Sequence, residues 1–226
     1  MLDTGKFEPE GRRMARMTRL LLSCCAMVLA VSPAMACTRV INGEALPAFG
    51  VPLDVLDAGT VLLDQSRMRS ITGAGEHLTI IPSMDGRYPV DIEDLAATAP
   101  AECRFVFAET ATFGPDVKAF HKTTFQDPAG GRLISEGAAS YHDAATARRA
   151  FDQLVKTVAG CADSSMGWLF VNSWDSDTDS LHMRPGSCGR DYRVLSVALL
   201  EVTFCGFPDS VSEIVMTNMA ANVPGG

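Results

Sequence analysis

Apolar residues recur along this chain at two periods, and the two periods divide it into helices and strands. Ala147, Phe151, Leu154, Val155 and Val158 fall at i, i+4, i+7, i+8 and i+11, a single stripe on a helix. Arg148, Arg149, Asp152 and Lys156 take the opposite side. Asp143 is placed to cap this helix and Gly160 to end it, which would present Cys161 just beyond. A shorter helix is predicted over Leu62–Ile71, where Leu63, Met68 and Ile71 share a side and Gly73 is the stop. A third covers Asp209–Ala221, with Val211, Ile214, Val215 and Asn218 together, Asp209 or Ser210 as cap, and Pro224-Gly225-Gly226 as release. Asp94–Ala99 makes a helical turn before Pro100.

The strand pattern is clearest from Cys188 to Cys205, a run rich in Val, Leu, Tyr and Phe. Folding it at Ser196-Val197 gives equal arms with Cys188 opposite Cys205, and opposed residues in an antiparallel pair lie within disulfide reach. Val117–Phe125 and Arg132–Tyr141 flank the turn residues Asp127-Pro-Ala-Gly-Gly131 and form a second hairpin. His77–Ile81 is a short strand closed by Pro82, and Gly167–Trp174 is another, followed by an acidic loop. The apolar run around Cys103 fits helix or strand equally. The order is helix, strand, hairpin, helix, strand, hairpin, helix. The expected class is α+β: an antiparallel sheet with helices packed on one face and two disulfides.

Not all of the 226 residues belong to that domain. Arg12, Arg13, Arg16 and Arg19 precede a short apolar run, Leu20–Ala30, and Ala34-Met35-Ala36 is a small-residue cleavage pattern. Residues 1–36 therefore read as a secretory signal peptide, since the run is too short to span a bilayer. Residues 37–60, with Pro47, Gly50, Pro52 and Gly59, read as a tether, and 61–226 as the domain. Cys37 follows the cleavage site and invites lipidation, although Ala34 stands where a lipobox has Leu or Val. An acyl group there would hold the protein on a membrane surface without spanning it; ordinary cleavage and secretion is the rival. The expected location is extracytoplasmic. Removing the leader takes away five basic and three acidic residues and moves the net charge from −8 to −10, a balance that disfavours nucleic acid as a partner.

Cys24 and Cys25 leave with the leader. Cys103, Cys161, Cys188 and Cys205 remain, with three possible connectivities; the pairs expected are Cys103–Cys161 and Cys188–Cys205. Structural zinc would need a closer pairing of ligands than these spacings provide. Asp175, Asp177 and Asp179 alternate like the start of a calcium loop, but Ser180 and Gly186 replace the glycine and the bidentate glutamate such a loop needs, so a solvated acidic turn is expected. His77, His121, His142 and His182 are scattered, and neither GxSxG nor HExxH occurs. No catalytic, cofactor or metal residue is assigned; a hydrolase would require a Ser or Asp within about 3 Å of one of these histidines. Trp168, Phe170 and Trp174 stand at even spacing, as residues sharing a sheet face do, and are the candidate lining of an apolar ligand pocket.

Several segments together resemble the extracytoplasmic sensor domain of mycobacterial PknH-type serine/threonine kinases, which also occurs in free-standing lipoproteins. The similar pieces are Cys37-Thr-Arg-Val-Ile-Asn-Gly-Glu-Ala, Val61-Leu-Leu-Asp-Gln-Ser with Ile71-Thr-Gly-Ala, Glu102-Cys103, Ala144 to Cys161, and Cys188 through Val202-Thr-Phe-Cys205-Gly-Phe. The resemblance implies pairing of the first two and last two cysteines and a cleft for an unidentified ligand. The expected function is a sensor-like module of the cell envelope holding a small molecule or envelope component; a structural or protein-binding envelope lipoprotein is the alternative. Ser196-Val197 lacks the Asn or Gly usual at a hairpin tip, which predicts a wider turn.

Overall fold

The computed structural model describes residues 55–225 and, apart from them, two short antiparallel strands, β1 (Val40–Ile41) and β2 (Glu44–Ala45). The expected signal segment 1–36 and the lipidation position Cys37 lie outside the described residues. The larger unit runs in the order α1 (Gln65–Thr72), β3 (Thr79–Ile80), α2 (Glu93–Thr98), α3 (Glu109–Phe113), β4 (Ala119–Asp127), β5 (Arg132–Ser140), α4 (Ala144–Ala162), α5 (Gly167–Phe170), β6 (Ser173–Ser176), β7 (Ser180–Arg184), β8 (Cys188–Leu195), β9 (Ala198–Cys205) and α6 (Asp209–Ala221). Its seven strands form one antiparallel sheet ordered β3-β4-β5-β9-β8-β7-β6.

The β8–β9 hairpin is the centre of the sheet and has the expected register, Cys188 opposite Cys205 and Leu195 opposite Ala198. Its turn is the tight two-residue Ser196-Val197 and not a wider one. Ser196 alone supplies the left-handed backbone (φ 52°) that the first position of such a turn requires. Within the hairpin Gly189 has no substitute, because a Cβ there would come within 2.2 Å of the Phe204 ring.

Helices cover both faces of the sheet, not one. β9 explains why: Leu199 faces one way, while Ala198, Leu200, Val202 and Phe204 face the other, and all five are buried. A strand apolar on both sides needs cover on both sides. Against Leu200, Val202, Phe204, Ile134 and Phe125 lie Met68 of α1 and Val211, Val215, Met216 and Met219 of α6. Against Leu199, Ala139, Phe120 and Val194 lie Ala147, Phe151, Leu154 and Val158 of α4.

Four local expectations change. Helix α4 runs through Gly160 to Ala162, so Cys161 is inside its last turn, capped at the other end by Asp143 accepting from the Thr146 N–H. Gly167–Trp174 is not one strand: α5 comes first, and the acidic loop after it is the turn between two paired strands, β6 and β7. Gly167 fits tightly there, its missing Cβ lying 2.1 Å from the Cys161 carbonyl oxygen. The inward side of α6 is Val211, Ser212, Val215, Met216 and Met219; Ile214 is exposed and Asn218 accepts from Arg67 at the surface, and no side chain caps the helix. Ala58, in a 3-10 turn over Ala58–Thr60, is buried with Val61, so the packed unit takes in residues assigned to the tether.

One charged residue beneath α1 sets a pH dependence. Glu136 of β5 is fully buried, and both of its carboxyl oxygens accept from the Leu63 N–H, at 3.0 and 3.1 Å. Burial pushes its pKa up to about 8, against the pull of that N–H and with a further push from Asp64. A raised carboxyl pKa gives stability that is fully present below the unfolded value near 4.5 and lost as pH rises toward 8. Glu136→Gln keeps the acceptor and removes the titration. It should erase a loss on the order of 1 kcal/mol per pH unit over that window, read from urea melts between pH 5 and 8.

Candidate functional site

The α4 face of the sheet changes character toward the end held by Cys188 and Cys205. There, three rows of side chains cross the strands. Cys188, Cys205, Leu133 and Gln126 form the first. Trp174, Met183, Arg190, Thr203, Ser135 and Thr124 form the second. Leu181, Tyr192, Glu201, Gly137 and Lys122 form the third. Between Gln126 on one side and Arg190 on the other, none of the residues of β4, β5, β9 and β8 in the first two rows joins an apolar cluster. Gln126, Leu133, Thr203, Cys188, Cys205 and Arg190 are only half-buried. This is a polar floor reachable from solvent, bounded by the apolar packing under α4.

Four charges are fitted into that floor. Lys122 Nζ lies 2.9 Å from Glu109 Oε1 of α3 and 3.2 Å from Glu201 Oε2. Arg190 Nε is 3.6 Å from the other oxygen of Glu201, which also accepts from the Thr203 hydroxyl at 2.8 Å. Burial alone would push the Glu201 carboxyl up, but Lys122 and Arg190 beside it hold it below the usual carboxylate range. Arg190 also reaches the Val106 carbonyl, and Glu109 accepts from the Val90 N–H, so the same charges tie the segment from Val90 to Phe113 to the sheet. Gly137 leaves the space: a Cβ there would sit 3.4 Å from Glu201 Oε2. The Tyr192 hydroxyl is buried and, among the described residues, without a hydrogen-bond partner. Of the four only Glu201 is fully buried, and a buried carboxylate is costly unless it is paired, as Lys122 and Arg190 pair it here.

The cysteines join as expected, Cys103 to Cys161 and Cys188 to Cys205. The first pair is fully buried and fastens α4 to the 3-10 segment Ala101–Val106; the second is half-buried and belongs to the floor. Trp168, Phe170 and Trp174 do not share a sheet face. Trp168 and Phe170 are on the short helix α5, Trp168 is 67% exposed, and Phe170 packs edge-on against Phe107. Trp174 alone is on a strand, in the row of Arg190 and two strands beyond it, packed at the margin of the α4 core.

Asp177 accepts from the N–H groups of Asp179 and Ser180 in its own turn, and Asp179 pairs with Arg148; among the described residues no group of His, Cys, Asp and Glu is placed to hold a metal ion. Three histidines meet a carboxylate: exposed His142 lies 3.5 Å from its neighbour Asp143, and two pairs join different elements, His121 Nε2 at 2.9 Å from Asp85 and His182 Nδ1 at 2.8 Å from Asp191. Of these two pairs, the second has a serine beside it. At the second, Ser212 donates to Asp191 at 2.5 Å, so the carboxylate stands between serine and histidine and no path takes the serine proton to the imidazole. Ser212 is also fully buried. At the first, the hydroxyl present is Thr123, again on the aspartate.

Of the floor residues, Tyr192 with Glu201 and Arg190 with Thr203 follow from the hairpin register, and a glutamate amid Leu, Val and Phe is a signal of something it must pair with. Lys122 and Glu109 come from elsewhere in the chain and have no such signal.

No curated protein matches the chain. The extracellular domain of PknH from Mycobacterium tuberculosis shares the fold, with a TM-score of 0.51 and 12% identity over 73% of this chain and 93% of that one. Among the described residues, no helix is long and apolar enough to cross a membrane. The family model for the PknH-like extracellular domain matches residues 53–221, most of the chain, and the protein belongs to that family of extracytoplasmic, sensor-type domains.

Proposed function

We propose that the protein is a binding module of the cell envelope that holds a small polar molecule or envelope component against the floor between Gln126 and Arg190. The observation that carries this reading is the half-buried polar end of a sheet face whose other end is sealed by α4. Its charged groups pair with one another, and polar groups already held in position are what orient a ligand. A thermal-shift screen of residues 38–226 against envelope lipids, glycans and metabolites is expected to give a stabilising compound; uniform silence would count against the reading.

Anchoring belongs to the same proposal: cleavage after Ala36 and acylation of Cys37 would hold the domain at the outer side of the membrane. The small residues at 34–36 support it, and the intact mass of exported protein distinguishes an acylated from a free cysteine.

Binding to a protein is supported by a different observation. Tyr88, Val90, Ile92 and Leu95 are all exposed, Tyr88 by 80%, along a segment whose Asp91 bridges Ala108. If that surface is the functional one, a pull-down from cell-wall extract recovers a specific protein that Tyr88→Ser loses.

A further inference from the structure

A cavity lies on the same side of the sheet but away from the polar floor. It is bounded by α3, the loop Gly114–Asp116 and the first half of α4, and its volume is about 170 Å³. Its inner wall is Phe113, Tyr141 and Ala150, with Phe113 and Tyr141 fully buried. The Tyr141 hydroxyl is not free to bind a guest, because it donates to the Phe113 carbonyl at 2.7 Å and so pins the loop to the end of β5. Space of this size suits one compact apolar group, as a cavity of roughly 150 Å³ admits a benzene ring.

The cavity has one charge of each sign on its lining. Arg149 and Asp116 both border it, and both are exposed, which puts them at its opening. Arg149 donates to the Thr146 hydroxyl but has no carboxylate within 4.0 Å among the described residues, although Arg148 beside it, Arg132, Arg184 and Arg190 all do. Asp116 likewise has no cation. Two opposite charges on the lining of a mostly apolar cavity, neither paired with an opposite charge among the described residues, match a ligand with a carboxylate, an ammonium and a compact apolar group.

We infer that this cavity is a site for a free apolar α-amino acid. The carboxylate pairs with the Arg149 guanidinium, the ammonium with the Asp116 carboxylate, and the side chain fills the space against Phe113 and Ala150. Only non-covalent contacts are made, and the site is independent of the polar floor.

The test is amide-resolved NMR titration of the exported protein with L-leucine, 4-methylpentanoate, which lacks the ammonium, and 3-methylbutylamine, which lacks the carboxylate. Leucine should saturate by about 10 mM, shifting the amides of Phe113, Gly114, Tyr141 and Ala150, with each analogue at least about tenfold weaker. Arg149→Gln, at an exposed position, should weaken leucine about tenfold, the loss of one charge-assisted contact. Ala150→Leu, which occupies the cavity, should abolish the shifts. An unshifted spectrum overturns the inference, as does equal binding of 4-methylpentanoate or leucine binding that Ala150→Leu leaves intact.

Discussion

Replacing Cys103 and Cys161 together by alanine is expected to lower stability by about 4 kcal/mol, the larger loss of the two disulfides. The bond closes a loop of 58 residues and fastens α4 to the segment beneath it, whereas Cys188–Cys205 spans 17 residues already zipped as a hairpin. In the chain-entropy account the shorter loop is worth about 3 kcal/mol, and the hairpin's own pairing lowers that further. Urea unfolding of the two alanine pairs should therefore rank them clearly, with the Cys103–Cys161 variant the less stable. Equal losses would show that the buried bond adds nothing beyond its packing.

Lys122→Met should cost about 3 kcal/mol at neutral pH, because it leaves Glu201 and Glu109 with one cation fewer. The sign of the pH dependence tests the cause. In the native protein the Glu201 pKa is depressed, so its contribution is present above the unfolded value near 4.5 and is lost as pH falls through the folded one. Without Lys122 burial pushes the carboxyl up, so the variant gains relative stability below 4.5 and loses it as pH rises. Adding Glu201→Gln should recover much of the loss at neutral pH. A deficit that is the same from pH 4 to 8 would mean that Lys122 acts through packing of its methylenes.

What the sequence disclosed depended on whether a signal was local. The β8–β9 hairpin was legible because its two cysteines set a register and its alternation agreed with it. Helix α4 was legible because one stripe and Asp143 sufficed. The stretch Gly167–Trp174 misled because Trp, Phe and Val favour strands, while Gly167 packs against the carbonyls of Cys161 and Ala162, where only a glycine fits. The inward side of α6 was misjudged because one buried residue is Ser212, whose hydroxyl is satisfied by Asp191 on β8, a partner no periodicity reveals. The polar floor was the least legible part. Lys122, Glu201 and Arg190 come from three strands and Glu109 from a helix, and only the strand order brings them together.

The central claim is that the polar end of the α4 face is where this domain meets its ligand. Amide-resolved mapping of the envelope lipid, glycan and metabolite panel tests it most directly, using the exported protein beside Leu133→Trp, which fills the floor at a half-buried position with no polar partner to lose. The expected result is a compound that shifts the amides of Gly137, Arg190, Thr203 and Cys205 and no longer does so in Leu133→Trp. Binding that Leu133→Trp leaves untouched, or a panel in which nothing moves those four amides, would contradict it.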